Sequence, residues 1–210
     1  MKKIIIIGAG GHGQVVADAL MLINGAEPVA FLDENPAIIG EKILGIPVPG
    51  GNTHLSKIKH DGVVIALGNN KLRKRIFEEL TAAGEILFTV IHPSAIISPS
   101  VKIGAGSMIL AGAVINTGAE IKENTIINTN STIEHHNIIG PHSHVAPGAT
   151  LGGEAVVGEE SMVGIGATVL PRVTIGNMSM LGAGSTATGN IADGITAAGI
   201  PAKRLKFQSK

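Results

Sequence analysis

From Ile97 to Leu181 every sixth residue is aliphatic: Ile97, Ile103, Ile109, Ile115, Ile121, Ile127, Ile133, Ile139, Val145, Leu151, Val157, Val163, Val169, Ile175 and Leu181. Four places after each stands Ala, Ser, Thr or Val, with Asn137 the one departure. Gly often follows the aliphatic residue directly, as at Gly104, Gly140, Gly152, Gly158, Gly164, Gly176 and Gly182. A helix repeats every 3.6 residues and a strand every 2, so neither explains a period of six. A triangular coil does, with three flat six-residue faces per turn, one aliphatic side chain per face turned inward, and small residues at the bends. Hexapeptide repeats are a signature of β-helices. Over residues 91–186 such a coil has slightly over five turns, and at ~4.8 Å per stacked strand it is ~25 Å long. No repeat is interrupted, so no long loop is extruded, and any site must be built from coil surfaces, a neighbouring subunit's included.

Residues 1–90 follow another rule. Lys3–Gly8 reads as a buried strand, Gln14–Ile23 as a helix, Val29–Asp33 and Gly62–Gly68 as further strands. Asn70–Ala83 reads as an amphipathic helix with a basic face at Lys71, Arg73, Lys74 and Arg75. Strands alternating with helices imply a parallel sheet covered on both faces. Ninety residues suffice for one mononucleotide-sized unit. The change of pattern after Phe88-Thr89-Val90 predicts two domains: an α/β Rossmann-like domain over 1–90 and a parallel β-helix over 91–210. The second ends in a basic segment, Gly199 to Arg204, after a capping turn.

Composition narrows the function. With 44% hydrophobic residues and 29 Gly the chain is not disordered. The longest purely aliphatic run, Ile4 to Ile7, is far shorter than the ~20 residues of a membrane span, and Met1-Lys2-Lys3 leaves no room for a signal peptide's apolar core. The absence of Cys excludes a disulfide framework and a Cys–zinc site. These features predict a cytoplasmic protein. A net charge of zero and 2% aromatic residues offer neither a basic patch nor a base-stacking platform, so no nucleic-acid partner is expected.

Two clusters carry candidate chemistry. Gly8-Ala9-Gly10-Gly11-His12-Gly13 has the G-x-G-x-x-G spacing between a strand and a helix, where glycines admit a ligand and the helix N-terminus attracts phosphate. Asp33, 20 residues after Gly13, ends the second strand where an acid binds a ribose hydroxyl. Gly68-Asn69-Asn70 ends another strand at the same ligand-binding edge. The alternatives are a turn whose glycines serve packing alone, and binding of NAD; a nucleotide-linked substrate fits half a Rossmann fold better. The second cluster is Glu134-His135-His136 with His142 and His144, four of eight histidines within ten residues. Solvated surface histidines, a metal site and general-base catalysis all remain open for it; a neutral imidazole near pH 7 can take a proton from an attacking amine or hydroxyl. Neither a Cys nor a readable Ser-His-Asp set supports a covalent acyl-enzyme, so direct attack on a thioester is simpler. Asn128, one face before His135, could share its cleft or belong to a corner ladder with Asn116, Asn124 and Asn130. Gly152-Gly153, Gly164-Ile165-Gly166 and Gly182-Ala183-Gly184 either serve corners or expose amides to the flat pantetheine arm of coenzyme A. Lys203 and Arg204 either meet a coenzyme phosphate or form a solvated tail.

The combination of G-x-G-G-H-G, the strand ending in Asp33, the A-L-G-N-N segment from Ala66 to Asn70, N-T-x-S-x-I-E-H and G-x-P-A-K resembles the NeuD/PglD-like sugar acyltransferases over nearly the whole chain. The resemblance implies a left-handed β-helix, a homotrimer, and acetyl-coenzyme A held between adjacent subunits with no metal required. It implies acetylation of a nucleotide-linked amino sugar, or O-acetylation of a sialic-acid-like sugar, in surface glycan synthesis. Matched residue by residue, His135 is the general base, His144 lies near the thioester and Asn128 beside the sugar. Gly10, His12, Asp33 and Asn69 fall on the nucleotide-sugar side; Gly153, Gly164, Ile165, Gly182 and Lys203 are expected on the coenzyme side. Amine-acetylating members carry an acid directly after the base, where this chain has His136, which leaves the partner orienting His135 open and makes His136→Ala the expected silent control. Two rival readings are a zinc-dependent hydratase on the same coil and a non-catalytic trimeric scaffold. Coils of the carbonic-anhydrase type use a histidine pair five residues apart, a spacing absent among these four histidines.

Overall fold

The computed structural model describes residues 1–205 and divides into two compact units, the first ending at Pro93 and the second beginning at Ser94. In the first unit, β1 (Lys2–Ile7), α1 (Gly11–Met21), β2 (Ala26–Leu32), the short antiparallel pair β3 (Lys42–Ile43) and β4 (Ile46–Pro47), β5 (Gly62–Ile65) and α2 (Asn70–Ala82) follow in order. The sheet order is β2-β1-β5, all parallel. Ile5, Ile7, Ala30, Leu32, Val63 and Ile65 pack with Ile76 and Leu80 of α2, while α1 brings buried Val16, Ala17 and Leu20 to β1 and β2. A central strand covered on both faces has no polar side, which is why Ile4 to Ile7 read as an unbroken run.

The expected basic face of α2 holds one correction. Arg73 is fully buried, because it lies three and seven residues before Ile76 and Leu80 and so shares their face. Its Nη1 donates to the Leu67 carbonyl at 2.9 Å, and burial pulls its pKa down to about 9.

The second unit is a parallel β-helix of two-residue strands, left-handed against the usual crossover rule. On one face Ile96–Ile97, Val114–Ile115, Thr132–Ile133, Thr150–Leu151, Thr168–Val169 and Thr186–Ala187 stack in parallel, each eighteen residues after the last. The sixth-place aliphatics fill the axis; from Ile109 to Leu181 all are buried. The coil runs on past residue 186, to about six turns. Ile191 bridges to Ile175 and Thr196–Ala198 pairs with Met180–Leu181 at a separation of sixteen, so the last turn is two residues short and drops out of the period.

The bends correct a second expectation. The residue that turns the chain is the third after each inward aliphatic, where φ is positive: Asn124, Asn130, His136, His142, Glu154, Glu160, Arg172 and Met178 sit there with glycines such as Gly118 and Gly148. From Ser107 on the small fourth residue is buried beneath the bend, and some of its hydroxyls tether the next turn: those of Ser107 and Thr125 donate to Lys122 O at 2.9 Å and Gly140 O at 3.1 Å. Asn137 departs from the pattern without departing from the task. Its Nδ2 donates to Glu134 O at 2.6 Å and Gly152 O at 3.1 Å. The glycines after the aliphatics answer to crowding: a Cβ at Gly140, Gly158 or Gly164 would lie 2.8, 2.6 or 2.7 Å from a backbone nitrogen of the next turn.

Candidate active site

In the first unit the Gly-rich turn joins β1 to α1 at the carboxyl edge of the sheet. Gly8 has φ +99 and a Cβ on Gly13 would strike the Gly8 carbonyl, so both positions require glycine. Around Gly10 and Gly11 an added Cβ would meet nothing within 4 Å, and α1 starts without a side-chain cap, an arrangement open to phosphate. Asp33 is already engaged: Oδ2 accepts from Ala9 N and Oδ1 from Asn35 N, both at 2.9 Å. It clamps the Gly-rich turn to the end of β2 in addition to facing a cavity of about 440 Å³ that Gly8, Asp33, Glu34, Asn52, Leu72 and Arg75 help to line. Asn69 caps α2, its Oδ1 accepting from Leu72 N at 2.9 Å. His12 is half-buried; burial first, and the nearby Arg73 charge second, push its pKa down to about 4.

On the coil the predicted residues sort onto two different edges of the prism. Asn128 stands at the corner after Ile126–Ile127, and strand register stacks it with Ala146, Gly164 and Gly182. There Asn128 Oδ1 accepts from Thr129 N at 2.8 Å, so its amide nitrogen faces His144 Nε2 at 3.0 Å as the donor. His144 Nε2 is therefore the lone-pair nitrogen, and the ring proton lies on Nδ1. Ile165 is 60% exposed beside this edge, and an added Cβ at Gly148, Gly166 or Gly184 would meet nothing within 4 Å. These stacked corners form a bare strip along the coil axis, wide enough for a flat, extended chain. Gly182 itself is set by packing, since its Cβ would come 2.9 Å from that of Ala198. Lys203 is exposed on a two-residue strand antiparallel to Thr196–Ala198.

His135 lies on the next edge, beyond Thr132–Ile133, so within one chain it does not share a cleft with Asn128 as the sequence suggests. Its ring is exposed and rests over Gly153, one turn on; a Cβ there would lie 2.5 Å from Cε1 and nearer to Nε2. Gly153 thus belongs to the histidine edge. His135 Nδ1 is 3.2 Å from His136 Nδ1. The left-handed bend of His136, φ +57, stacks in the column Gly118, His136, Glu154, Arg172. Glu154 pairs with Arg172 at 3.3 Å; the hydrogen bond and charge of Arg172, then the two histidines, hold its carboxyl below the usual range. Sequence reasoning left the departure at Asn137 unexplained, put Arg73 on an exposed basic face, and missed the Glu154–Arg172 pair, which a search at a spacing of eighteen would have found. Among the described residues no three or more His, Cys, Asp or Glu converge on a metal position.

Residues 3–80 match the PglD N-terminal domain. Over 100 residues the chain is 40% identical to UDP-N-acetylbacillosamine N-acetyltransferase of Bacillus subtilis strain 168, an alignment spanning 47% of this chain and 46% of that relative. It superposes on the acetyltransferase domain of PglB from Neisseria gonorrhoeae FA1090 with a TM-score of 0.90 and 36% identity, covering 98% of this chain and 100% of that one. PerB from Caulobacter crescentus, solved with CoA and GDP-perosamine, gives 0.91 and 35% over 98% of both chains. With identity at this level running the length of both solved relatives, the chain belongs to the NeuD/PglD-like family of hexapeptide-repeat sugar acyltransferases.

Proposed function

We propose that this protein transfers the acetyl group of acetyl-coenzyme A to the amine of a nucleotide-linked amino sugar in the cytoplasm, for surface glycan synthesis. The observation that carries the reading is the exposed His135 ring, set over Gly153 with its Nδ1 hydrogen-bonded to His136. That leaves Nε2 to take a proton. The sugar nitrogen attacks the thioester carbonyl, His135 Nε2 removes its proton, and the carbon–sulfur bond breaks with the electron pair leaving on sulfur. The proton then passes from His135 to the thiolate. An amine is favoured over a hydroxyl because relatives on both the sequence and the structural side are amino-sugar N-acetyltransferases.

The two coil edges support a shared site. The bare strip of Gly148, Gly166 and Gly184 suits a pantetheine arm, yet it stands one edge away from His135. A homotrimer that sets the Asn128 edge of one subunit against the His135 edge of the next brings both to one cleft, with Lys203 available to a coenzyme phosphate. The cavity beside Gly8 and Asp33 is assigned to the nucleotide. A panel of UDP-, GDP- and dTDP-linked amino sugars, with hydroxyl-only analogues beside them, tests the reading by release of free coenzyme A thiol. Turnover is expected only where the free amine is present; release with the hydroxyl analogues alone would reverse the acceptor, and none with any sugar would refute the reading.

A further inference from the structure

The corner that carries His135 also holds a second imidazole. The left-handed bend at His136 turns its ring back across the corner, so that the two rings meet edge to face with centroids 5.4 Å apart at 76°. Their Nδ1 atoms are 3.2 Å apart. Two ring nitrogens at that distance hydrogen-bond only if one donates and the other offers a lone pair. The direction follows from chemistry: an imidazole that takes a proton at Nε2 carries its own hydrogen on Nδ1. His135 is then the donor and neutral His136 the acceptor.

We propose that His136 is the positioning residue of the acetyl transfer. Its Nδ1 lone pair holds His135 in the Nδ1–H tautomer, keeps the ring over Gly153, and retains the bond when His135 becomes an imidazolium. This rests on His135 being the base. The corner itself is rigid, since Asn137 bonds Glu134 O and Gly152 O from beneath. The charged groups around the pair are Glu134, which precedes it, and Glu154 with its partner Arg172 on the next two turns. The Glu154 backbone donates to His135 O at 2.9 Å, which anchors that residue beside the pair. Protonation of His136 would set one N–H against another and destroy the acceptor.

Two substitutions separate positioning from mere packing. His136→Gly deletes the ring without straining the bend, as Gly118 occupies the same place one turn earlier at φ +70. His136→Asn puts Oδ1 where Nδ1 stands, an acceptor that does not titrate, at a bend that Asn124 and Asn130 show to suit asparagine. We expect His136→Gly to lower kcat about 10–100-fold with both KM values nearly unchanged. His136→Asn should restore most of that rate. An unaltered kcat in His136→Gly, or an unrestored rate in His136→Asn, overturns the proposal. A normal rate in His135→Ala would instead remove the base assignment beneath it.

Discussion

The bare Cα of Gly153 makes the space in which the His135 ring lies, eighteen residues away in sequence and one turn away in the coil. The backbone at Gly153 is outside the positive-φ region, so alanine meets no backbone strain there, and the three atoms nearest its Cβ all belong to the ring. Gly153→Ala should displace His135 and lower kcat about 10–100-fold, as small misplacements of a catalytic group do. Because the exposed ring can swing into solvent, unfolding free energy should change by less than about 1 kcal/mol. A normal kcat would show that the ring's resting place is not its working one.

His135→Ala should reduce kcat by about 10²–10⁴-fold, the usual contribution of general-base assistance. Ile133, two residues earlier, is fully buried on the coil axis. Changing it to Ala should instead cost ~2–5 kcal/mol of stability through lost burial and a cavity. Steady-state kinetics and urea unfolding on both variants separate the two roles; a mild kinetic effect of His135→Ala would exclude it as the base.

Asp33→Ala removes the acceptor of both Ala9 N and Asn35 N and releases the Gly-rich turn beside the cavity. KM for the nucleotide sugar should rise about tenfold, close to the loss of one hydrogen bond to a charged group, while KM for acetyl-coenzyme A stays put. An equal rise in both would move Asp33 out of the sugar site.

His12 predicts how stability depends on acid. Burial, with Arg73 adding, lowers its pKa to about 4 in the folded chain from an ordinary 6.5. As pH falls through that window the unfolded chain takes up the proton and the folded chain does not, so stability is lost, by up to about 3 kcal/mol. His60 works in the opposite direction but is common to both proteins compared below, so it cancels. Burial pulls it down, but hydrogen bonds to Ile58 O and Glu85 leave it raised. Its contribution is complete below the unfolded value and fades only as pH rises through the folded one. Denaturant unfolding of the native chain and His12→Asn at about pH 7 and about pH 4.5 should show the native chain losing more. Equal losses would mean that His12 is not held neutral.

Sedimentation should give a species of about three times the 21.4 kDa chain mass. A stable monomer with full activity would rule out a site shared between two coil edges.

The inward aliphatics were legible because burial of one side chain per six residues writes itself directly into the sequence. So was the exposed place of His135 on the coil surface, two residues past the inward Ile133. The single-strand reading of Ile4 to Ile7 succeeded for the same reason: a strand covered on both faces has no polar alternation to mislead. Arg73 was not legible, since a long cation on a helix ordinarily faces water, and only the placement of Ile76 and Leu80 puts it inside.

What the sequence by itself determined is the inward aliphatic place in every repeat and the β-helix that those places build. What only the tertiary structure decided is which residues touch. Stacking turns residues eighteen apart into neighbours, so Gly153 meets His135 and Glu154 follows His136, although nothing local joins them. A left-handed bend turns two adjacent histidines toward each other, where an extended chain would have pointed them apart. Asp33 faces a cavity and yet its Oδ2 is engaged by Ala9 N, because the sheet brings the ends of β1 and β2 together. The sequence names the donors and acceptors; the fold sets the distances on which their chemistry depends.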